Sequence, residues 1–142
     1  MTRTVLTIED QADIRRLIRM TLEYDGLTVL EAGDGEEGIN MARQHLPDLI
    51  LLDVMMPGMD GLSVNRTLAA DSRLKHIPVV ILSALGRAAD VQAGLETGVH
   101  AYLVKPFSPW ELLDVVHKLS GNAPAGALPN ANTETASVGG RA

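Results

Sequence analysis

A short apolar run that ends in a single acid constrains the fold of this chain more than any other feature. Residues 49–52 read LILL, and Asp53 follows at once. Four consecutive branched apolar residues favour a strand buried on both faces, as in a parallel sheet. Pro57, Gly58 and Gly61 then end the strand, because proline fixes φ and glycine adopts turn conformations. Asp53 is therefore predicted at the carboxyl end of a central strand, where open α/β sheets bind ligands.

The rest of the sequence predicts alternating strands and helices. Strands are predicted over 4–8, 27–32, 49–53, 79–83 and 100–104. Helices are predicted over about 12–25, 35–46, 60–70, 87–97 and 108–119. The second strand is expected near an edge, since polar residues interrupt it, and the alanine-rich fourth helix is expected to be the least anchored. Five alternations indicate parallel strands with right-handed crossovers and helices on both faces, an α/β doubly wound fold.

Apolar spacing and capping residues support three of these helices. Asp34 is a predicted N-cap, and Ser108 with Glu111 has the spacing of a capping box. Apolar residues at helical spacing predict the buried faces of the first two helices. The residues expected to point inward are Ile14, Leu17, Ile18, Thr21 and Leu22 in the first helix, and Ile39, Ala42 and Leu46 in the second.

Composition excludes several classes of protein. The 142 residues include no cysteine, carry a formal net charge of −6 and are 46% apolar and 21% charged. No apolar run is long enough for a membrane span, and the first residues do not form a signal peptide. These features predict a cytoplasmic domain without membrane contact, disulfides or direct nucleic-acid binding. Residues 122–142, of which 17 are Ala, Gly, Pro, Asn, Ser or Thr, are predicted to be a flexible tail or a truncated linker.

Four of the five predicted strands end in polar side chains. Glu9 and Asp10 follow the first strand, Asp53 ends the third, Ser83 the fourth and Lys105 the fifth. Two carboxylates 5 Å apart repel each other by about 3 kcal/mol at an effective dielectric constant near 20. A hard divalent cation such as Mg²⁺ relieves that repulsion. Acids, metal, lysine and hydroxyl together indicate phosphoryl transfer, with Asp53 as the nucleophile.

These motifs resemble those of a known family. VLTIED, LILLDVMMPGMDG, VVILSA and YLVKPF occur in the order and at the spacing of the receiver domain of bacterial two-component response regulators. The resemblance extends from residue 4 to about 120 and implies a receiver domain over 1–121, of the stand-alone chemotaxis type. It also implies a flavodoxin-like sheet of five strands in the order 2-1-3-4-5, with five helices.

The resemblance implies roles for the acids. Asp53 would accept a phosphoryl group from a phosphohistidine of a sensor histidine kinase or a phosphotransfer protein. Asp10 and Asp53 would bind Mg²⁺ or Mn²⁺ directly, Glu9 through water, and Met55 through its carbonyl oxygen. The protein would act as a signalling switch in a phosphorelay, and would catalyse only its own phosphorylation and dephosphorylation.

The resemblance also implies how the switch works. Lys105 would pair with the phosphoryl group or with Asp53, and its bond to Pro106 would be cis. The Ser83 hydroxyl and the Ala84 N–H would move toward the new charge. An aromatic side chain at Tyr102 would then rotate inward and change the face formed by the fourth helix, the fifth strand and the fifth helix.

Partner surfaces follow from the same comparison. That face would contact a downstream protein, or a second copy of the chain after phosphorylation. Trp110 is the only tryptophan and lies opposite the apolar side of the last predicted helix. It therefore either packs on its own helix or anchors an interface, as exposed tryptophans often do.

Three alternatives remain open. The chain is a receiver from a longer regulator whose output domain follows residue 142, or an aspartyl-phosphate hydrolase acting on small molecules, or a receiver-like module that ignores phosphate. The haloacid dehalogenase family of hydrolases typically has a second acid two residues after the nucleophile, where this chain has Met55. A module that ignores phosphate would be expected to lack the acids or the lysine.

Overall fold

The computed structural model describes residues 3–54, 61–84 and 101–120 of the chain. Its strands are Thr4–Ile8 (β1), Thr28–Ala32 (β2), Leu49–Asp53 (β3), Val79–Ala84 (β4) and Ala101–Lys105 (β5). Its helices are Ala12–Tyr24 (α1), Gly35–His45 (α2), Gly61–Ala70 (α3) and Pro109–Ser120 (α4), the last being the helix predicted over 108–119. The helix predicted over 87–97 and the tail 122–142 lie outside the described residues. None of the described helices is long and apolar enough to cross a membrane.

All five strands pair in parallel in a single sheet. Their order is β2-β1-β3-β4-β5, which confirms the flavodoxin-like topology and the edge position of the second strand. Ile8 lies opposite Leu52 across the β1–β3 pair, and Asp53 lies opposite Leu82 across the β3–β4 pair. The carboxyl ends of β1 and β3 are therefore adjacent, at the point where the strand order reverses.

The central strand β3 contributes to two cores, one on each face of the sheet. Its five residues are all buried, and alternate side chains point to opposite faces. Leu49 and Leu51 pack in the cluster that includes Ile18, Leu22, Leu112 and Val116 of α1 and α4. Ile50 and Leu52 pack in the cluster that includes Ile39, Ala42, Val64 and Leu68 of α2 and α3. Burial on both faces explains why β3 is a continuous apolar run rather than an alternating one.

The predicted helix ends are confirmed by their hydrogen bonds. Asp34 Oδ1 accepts a bond of 2.8 Å from the main-chain N–H of Glu37. Ser108 Oγ accepts from the N–H of Glu111 at 3.1 Å, and Glu111 Oε1 accepts from the N–H of Ser108 at 2.8 Å, which completes the capping box. Gly26 follows α1 with a φ of +87°, a conformation that favours glycine.

Two leucines predicted to point inward are exposed, so those two predictions are wrong. Leu17 in α1 is 49% exposed, because the buried stripe of that helix is centred on Ile18 and Leu22 and Leu17 lies on its flank. Leu46 is 54% exposed. It is the C-cap of α2 and has a left-handed backbone with φ of 49°, so its side chain leaves the line of the helical stripe.

Candidate functional site

The carboxyl ends of β1 and β3 bring three acids together. Glu9 and Asp10 follow β1, and Asp53 is the last residue of β3. One carboxylate oxygen of each lies within 4.8 Å of the others. Glu9 and Asp53 are buried, with 0% and 2% of their surface exposed, while Asp10 is more exposed. We refer to Glu9, Asp10 and Asp53 as the acidic cluster.

Lys105 reaches the acidic cluster from the edge of the sheet. It ends β5, which is separated from β3 by β4, and it pairs in register with Ala84. Its Nζ lies 3.0 Å from Glu9 Oε1 and 3.3 Å from Asp53 Oδ1. A lysine stem is long enough to pass the end of β4, and its compact ammonium group then stands between two buried carboxylates.

Burial and charge alter the protonation of this group of residues. Burial, followed by the charge of Asp53 and a hydrogen bond with it, raises the pKa of Glu9 to about 7, although Lys105 acts in the opposite direction. The Glu9 carboxyl therefore holds a proton in part of the molecules near neutral pH, which reduces its repulsion of Asp53. Burial alone would lower the pKa of Lys105, but Glu9 and Asp53 outweigh it and raise that pKa above its usual value.

The donor set of the acidic cluster fits a hard divalent cation. Carboxylate oxygens are the ligands that Mg²⁺ and Mn²⁺ prefer. Asp10 Oδ1 is buried and has no hydrogen-bond partner within the described part of the chain, so this oxygen is available to a ligand. Two full charges at 4.8 Å repel by about 3 kcal/mol at an effective dielectric constant near 20, which a cation would offset. Met55, the other predicted ligand, lies outside the described residues.

Gly61 allows α3 to start directly against the backbone of the Asp53 strand. A Cβ atom at this position would lie 2.3 Å from the main-chain oxygen of Asp53 and 2.7 Å from Cα of Val54. The N–H of Gly61 donates to the oxygen of Val54 at 3.1 Å. Because these neighbours are backbone atoms, no side-chain rearrangement would make room. Gly61 therefore allows α3 to begin in close contact with the main chain of Asp53 and Val54.

The predicted switch residues lie on β4 and β5, Ser83 and Ala84 at the carboxyl end of β4 and Tyr102 on β5 opposite Ile81. Ser83 is buried, one residue beyond the partner of Asp53 in β4, and Ala84 is the last residue of that strand. Tyr102 on the edge strand β5 is 45% exposed. The peptide bond between Lys105 and Pro106 is cis.

A groove next to the site was not predicted from the sequence. It has a volume of about 350 Å³ and lies between α1 and the turn after β5. Its lining residues are Ile14, Leu17, Lys105, Pro106 and Phe107. Leu17 was expected in the core, so the exposed apolar side of α1 was missed.

Trp110, in the first turn of α4, is 79% exposed, so it does not pack into the core.

Arg15 lies outside the apolar stripe of α1, yet its side chain is only 22% exposed. Its Nη1 donates to the main-chain oxygen of Glu9 at 2.7 Å. Its Nε lies 3.1 Å from Glu31 Oε1 on β2. The sequence signal that could have found it is an arginine in the second turn of a helix that starts just after two site acids.

Comparisons of the chain with known proteins agree on one family, and the site described above fits it. The model of the response regulator receiver domain matches residues 5–117, so the chain belongs to the response regulator receiver domain family. It is 43% identical over 113 residues to the phosphate regulon transcriptional regulatory protein PhoB of Escherichia coli K12, covering 80% of this chain and 49% of that protein. It is 42% identical over 134 residues to the transcriptional regulatory protein ResD of Bacillus subtilis, covering 94% of this chain and 55% of that protein.

Solved structures show the same fold. A response regulator from Chloroflexus aurantiacus superimposes with a TM-score of 0.83 at 30% identity, over 86% of this chain and all (100%) of that one. The receiver domain of a sensor histidine kinase from Pseudomonas aeruginosa superimposes with a TM-score of 0.79 at 28% identity, over 86% of this chain and 100% of that one. That structure has a magnesium ion coordinated in its active-site cleft.

The relatives also bear on two expectations about the whole protein. This chain spans about half the length of the curated relatives that it matches. Two of those relatives are named as transcriptional regulators. The expectation that the protein has no contact with nucleic acid is therefore not supported, and the stand-alone character stays a prediction.

Proposed function

We propose that this receiver domain is a Mg²⁺-dependent switch that accepts a phosphoryl group on Asp53 from a phosphohistidine of a sensor histidine kinase or a phosphotransfer protein. The observation that carries the proposal is the buried Asp53 carboxylate with Lys105 Nζ at 3.3 Å and two further acids within 4.8 Å. A nucleophile, a fixed cation and a metal-type donor set at one sheet edge are the components that phosphoryl transfer needs. The domain would act in the cytoplasm, as a signalling protein rather than as an enzyme with a separate substrate.

The transfer step involves only one bond made and one broken. An Asp53 carboxylate oxygen attacks phosphorus while the bond between phosphorus and the imidazole nitrogen breaks. The electron pair of that bond stays on the nitrogen, and a proton on the other ring nitrogen of the donor makes the leaving imidazole neutral. The products are an aspartyl phosphate and a neutral histidine. Lys105 would hold the phosphoryl oxygens as their charge shifts, a role supported by its Nζ lying 3.0 Å from Glu9 and 3.3 Å from Asp53.

Glu9, Asp10 and Asp53 would hold the metal ion, together with the Met55 carbonyl that the family resemblance implies. A bound Mg²⁺, or Mn²⁺ in its place, would neutralise charge on the phosphoryl oxygens. The metal-bearing relative from Pseudomonas aeruginosa supports Mg²⁺ for this chain. The three side chains would supply carboxylate oxygens to the ion, Asp10 and Asp53 directly and Glu9 through water.

The exposed apolar side of α1 supports a docking site for the phosphohistidine partner. The partner must bring its histidine to Asp53, so its docking surface has to border the acidic cluster. Leu17, 49% exposed, lines the groove that Lys105 also lines, and Met20, 59% exposed, lies three residues further along α1. Exposed apolar side chains beside a polar pocket are typical of interaction sites.

Replacing Leu17 by glutamate is expected to slow transfer from a phosphohistidine donor by about tenfold, because a charge would enter the apolar contact. Transfer from acetyl phosphate, which needs no docking surface, should be unchanged. The matched control is Leu46→Glu, since Leu46 has similar exposure, at 54%, and lies at the other end of the sheet. Equal rates for both variants with the phosphohistidine donor would contradict the docking site.

We propose that the switch signals to its downstream partner through a surface that includes the edge strand β5. After phosphorylation, the Ser83 hydroxyl and the Ala84 N–H would bind the new phosphoryl oxygens, and Tyr102 would turn inward from its exposed position. The face that includes β5, α4 and the predicted helix over 87–97 would then contact a downstream protein or a second copy of the chain. Trp110, 79% exposed, is a candidate anchor for that contact.

A second candidate describes the whole protein rather than this domain. The curated relatives are named as transcriptional regulators, and this chain covers about half of each. In this second candidate, the domain controls an output segment that regulates transcription. The same Asp53 chemistry would operate in both cases.

The experiment that tests the switch is a thermal unfolding titration with Mg²⁺ and beryllofluoride, an analogue of the phosphoryl group. A ligand at one hundred times its dissociation constant stabilises the folded state by about 2.7 kcal/mol. Beryllofluoride should raise the melting temperature of the wild type only when Mg²⁺ is present. Asp10→Ala should remove both the Mg²⁺ response and the beryllofluoride response. An unchanged response in that variant would rule out the metal site as assigned.

A further inference from the structure

Arg15 contacts one member of the acidic cluster and one glutamate of the edge strand β2. Its Nη1 donates to the main-chain oxygen of Glu9 at 2.7 Å, and its Nε lies 3.1 Å from Glu31 Oε1. The second oxygen of Glu31 accepts from Arg19 Nη1 at 2.6 Å. Glu31 belongs to β2, so the guanidinium group links α1, the edge strand and the residue that begins the acidic cluster.

The Glu9 oxygen that Arg15 holds lies beyond the strand ladder. Pairing of β1 with both of its neighbours ends at Ile8. Past that point, the Glu9 N–H still donates to the oxygen of Ala32 at 3.0 Å. Among the described residues, the hydrogen-bond donor to the Glu9 oxygen is the side chain of Arg15 rather than a neighbouring strand. Arg15 thus donates a hydrogen bond to the peptide group that joins Glu9 to Asp10.

We propose that Arg15 is a positioning residue for the metal site, a proposal that rests on the proposed function. It fixes the Glu9–Asp10 peptide so that the Glu9 and Asp10 carboxylates stay directed at Asp53 despite their mutual repulsion. A guanidinium group suits this role because its planar fork contacts two acceptors in fixed directions. Glu31, held in turn by Arg19, keeps the fork in place.

The charge of Arg15, taken alone, predicts the opposite change in Mg²⁺ affinity, so the two explanations can be distinguished by experiment. A positive group close to the acidic cluster repels a metal cation, so its removal should tighten Mg²⁺ binding if charge were its only effect. If Arg15 positions the ligands, its removal should weaken Mg²⁺ binding. Loss of a group that orients metal ligands typically lowers metal affinity by about tenfold to a hundredfold.

The test is to measure the Mg²⁺ dissociation constants of the full chain and four variants by titration. Arg15→Gln removes the charge and the fork, and Arg15→Lys keeps the charge but removes the fork. Both are expected to weaken Mg²⁺ binding, Arg15→Gln by about tenfold. The matched control is Arg16→Gln, which loses the same charge one residue further along α1 and has no ion pair within the described part of the chain. Glu31→Ala should also weaken Mg²⁺ binding, because the guanidinium group of Arg15 would lose the contact that keeps it in place.

A second readout separates positioning from general stability. Without metal, Arg15→Gln should speed amide hydrogen exchange at Asp10 and Gln11 relative to Arg16→Gln, with the β3 amides unchanged. Faster exchange throughout the sheet would indicate a stability effect and would overturn the proposal.

Two results for Mg²⁺ binding would also overturn it. One is equal dissociation constants for Arg15→Gln and Arg16→Gln, and the other is wild-type affinity in Arg15→Lys. A wild-type chain that binds neither Mg²⁺ nor beryllofluoride would instead contradict the proposed function itself, and this proposal with it.

Discussion

Replacing Asp53 by asparagine is expected to reduce phosphoryl incorporation from acetyl phosphate to background while leaving the fold intact. The amide has nearly the same shape as the carboxylate, but it is not a competent nucleophile toward phosphorus. Asp53 is 2% exposed and lies in the centre of the sheet, so a change of shape would be costly and a change of charge is the cleaner test. Incorporation is measured by gel mobility shift or by a radiolabelled donor.

The control for this variant is Asp114→Asn, which makes the same chemical change on the exposed surface of α4. Asp114 pairs with Lys118 at 3.0 Å, and its side chain is 63% exposed. In the sequence it is far from the residues of the acidic cluster. It should be phosphorylated like the wild type. Normal incorporation in Asp53→Asn would show that the acceptor is a different residue.

Replacing Lys105 by alanine is expected to destabilise the metal-free protein by about 2 kcal/mol, because two buried carboxylates would lose their cation. The figure lies below the range for a fully buried pair, since the lysine side chain is 19% exposed and Glu9 can take up a proton. Mg²⁺ should then stabilise this variant more than it stabilises the wild type, because the metal replaces the missing charge. The free energy of unfolding is measured in urea with and without Mg²⁺.

Lys118→Ala is the matched control for that prediction. Lys118 also pairs with a carboxylate at 3.0 Å, but both partners are more than half exposed, so its loss should cost less than about 1 kcal/mol. Lys105→Ala should in addition bind beryllofluoride without the change at β5 and α4 that the wild type undergoes. Equal costs for the two variants, together with equal responses to Mg²⁺, would contradict the assigned role of Lys105.

The sequence predicted the architecture well where local physics and tertiary packing agree. The run before Asp53 is apolar on both faces because β3 is covered by helices on both sides. The capping box at Ser108 and the N-cap at Asp34 are local hydrogen bonds, so a few residues are enough to specify them. The order of the strands is not local, and it came from the family resemblance rather than from the spacing.

Predictions failed where a residue's surroundings depend on distant parts of the chain. Leu17 fits the helical stripe of α1, but which side of that stripe is covered depends on where α4 packs. Arg15 resembles a solvated surface charge until Glu31 and Glu9 approach from other elements. Gly61 was interpreted as a turn residue, whereas the structure adds a steric reason, the close approach of α3 to the backbone of β3.

The most direct test of the central claim is the mass of the intact protein after incubation with acetyl phosphate and Mg²⁺. We expect the wild type to gain the mass of one phosphoryl group, and Asp53→Asn to gain none. The tryptic peptide 44–66 contains Asp48 and Asp60 as well as Asp53, so fragment ions are needed to assign the site. An adduct on Asp53 is the predicted result. A folded wild-type protein without an adduct, under conditions in which another receiver domain is phosphorylated, would contradict the account.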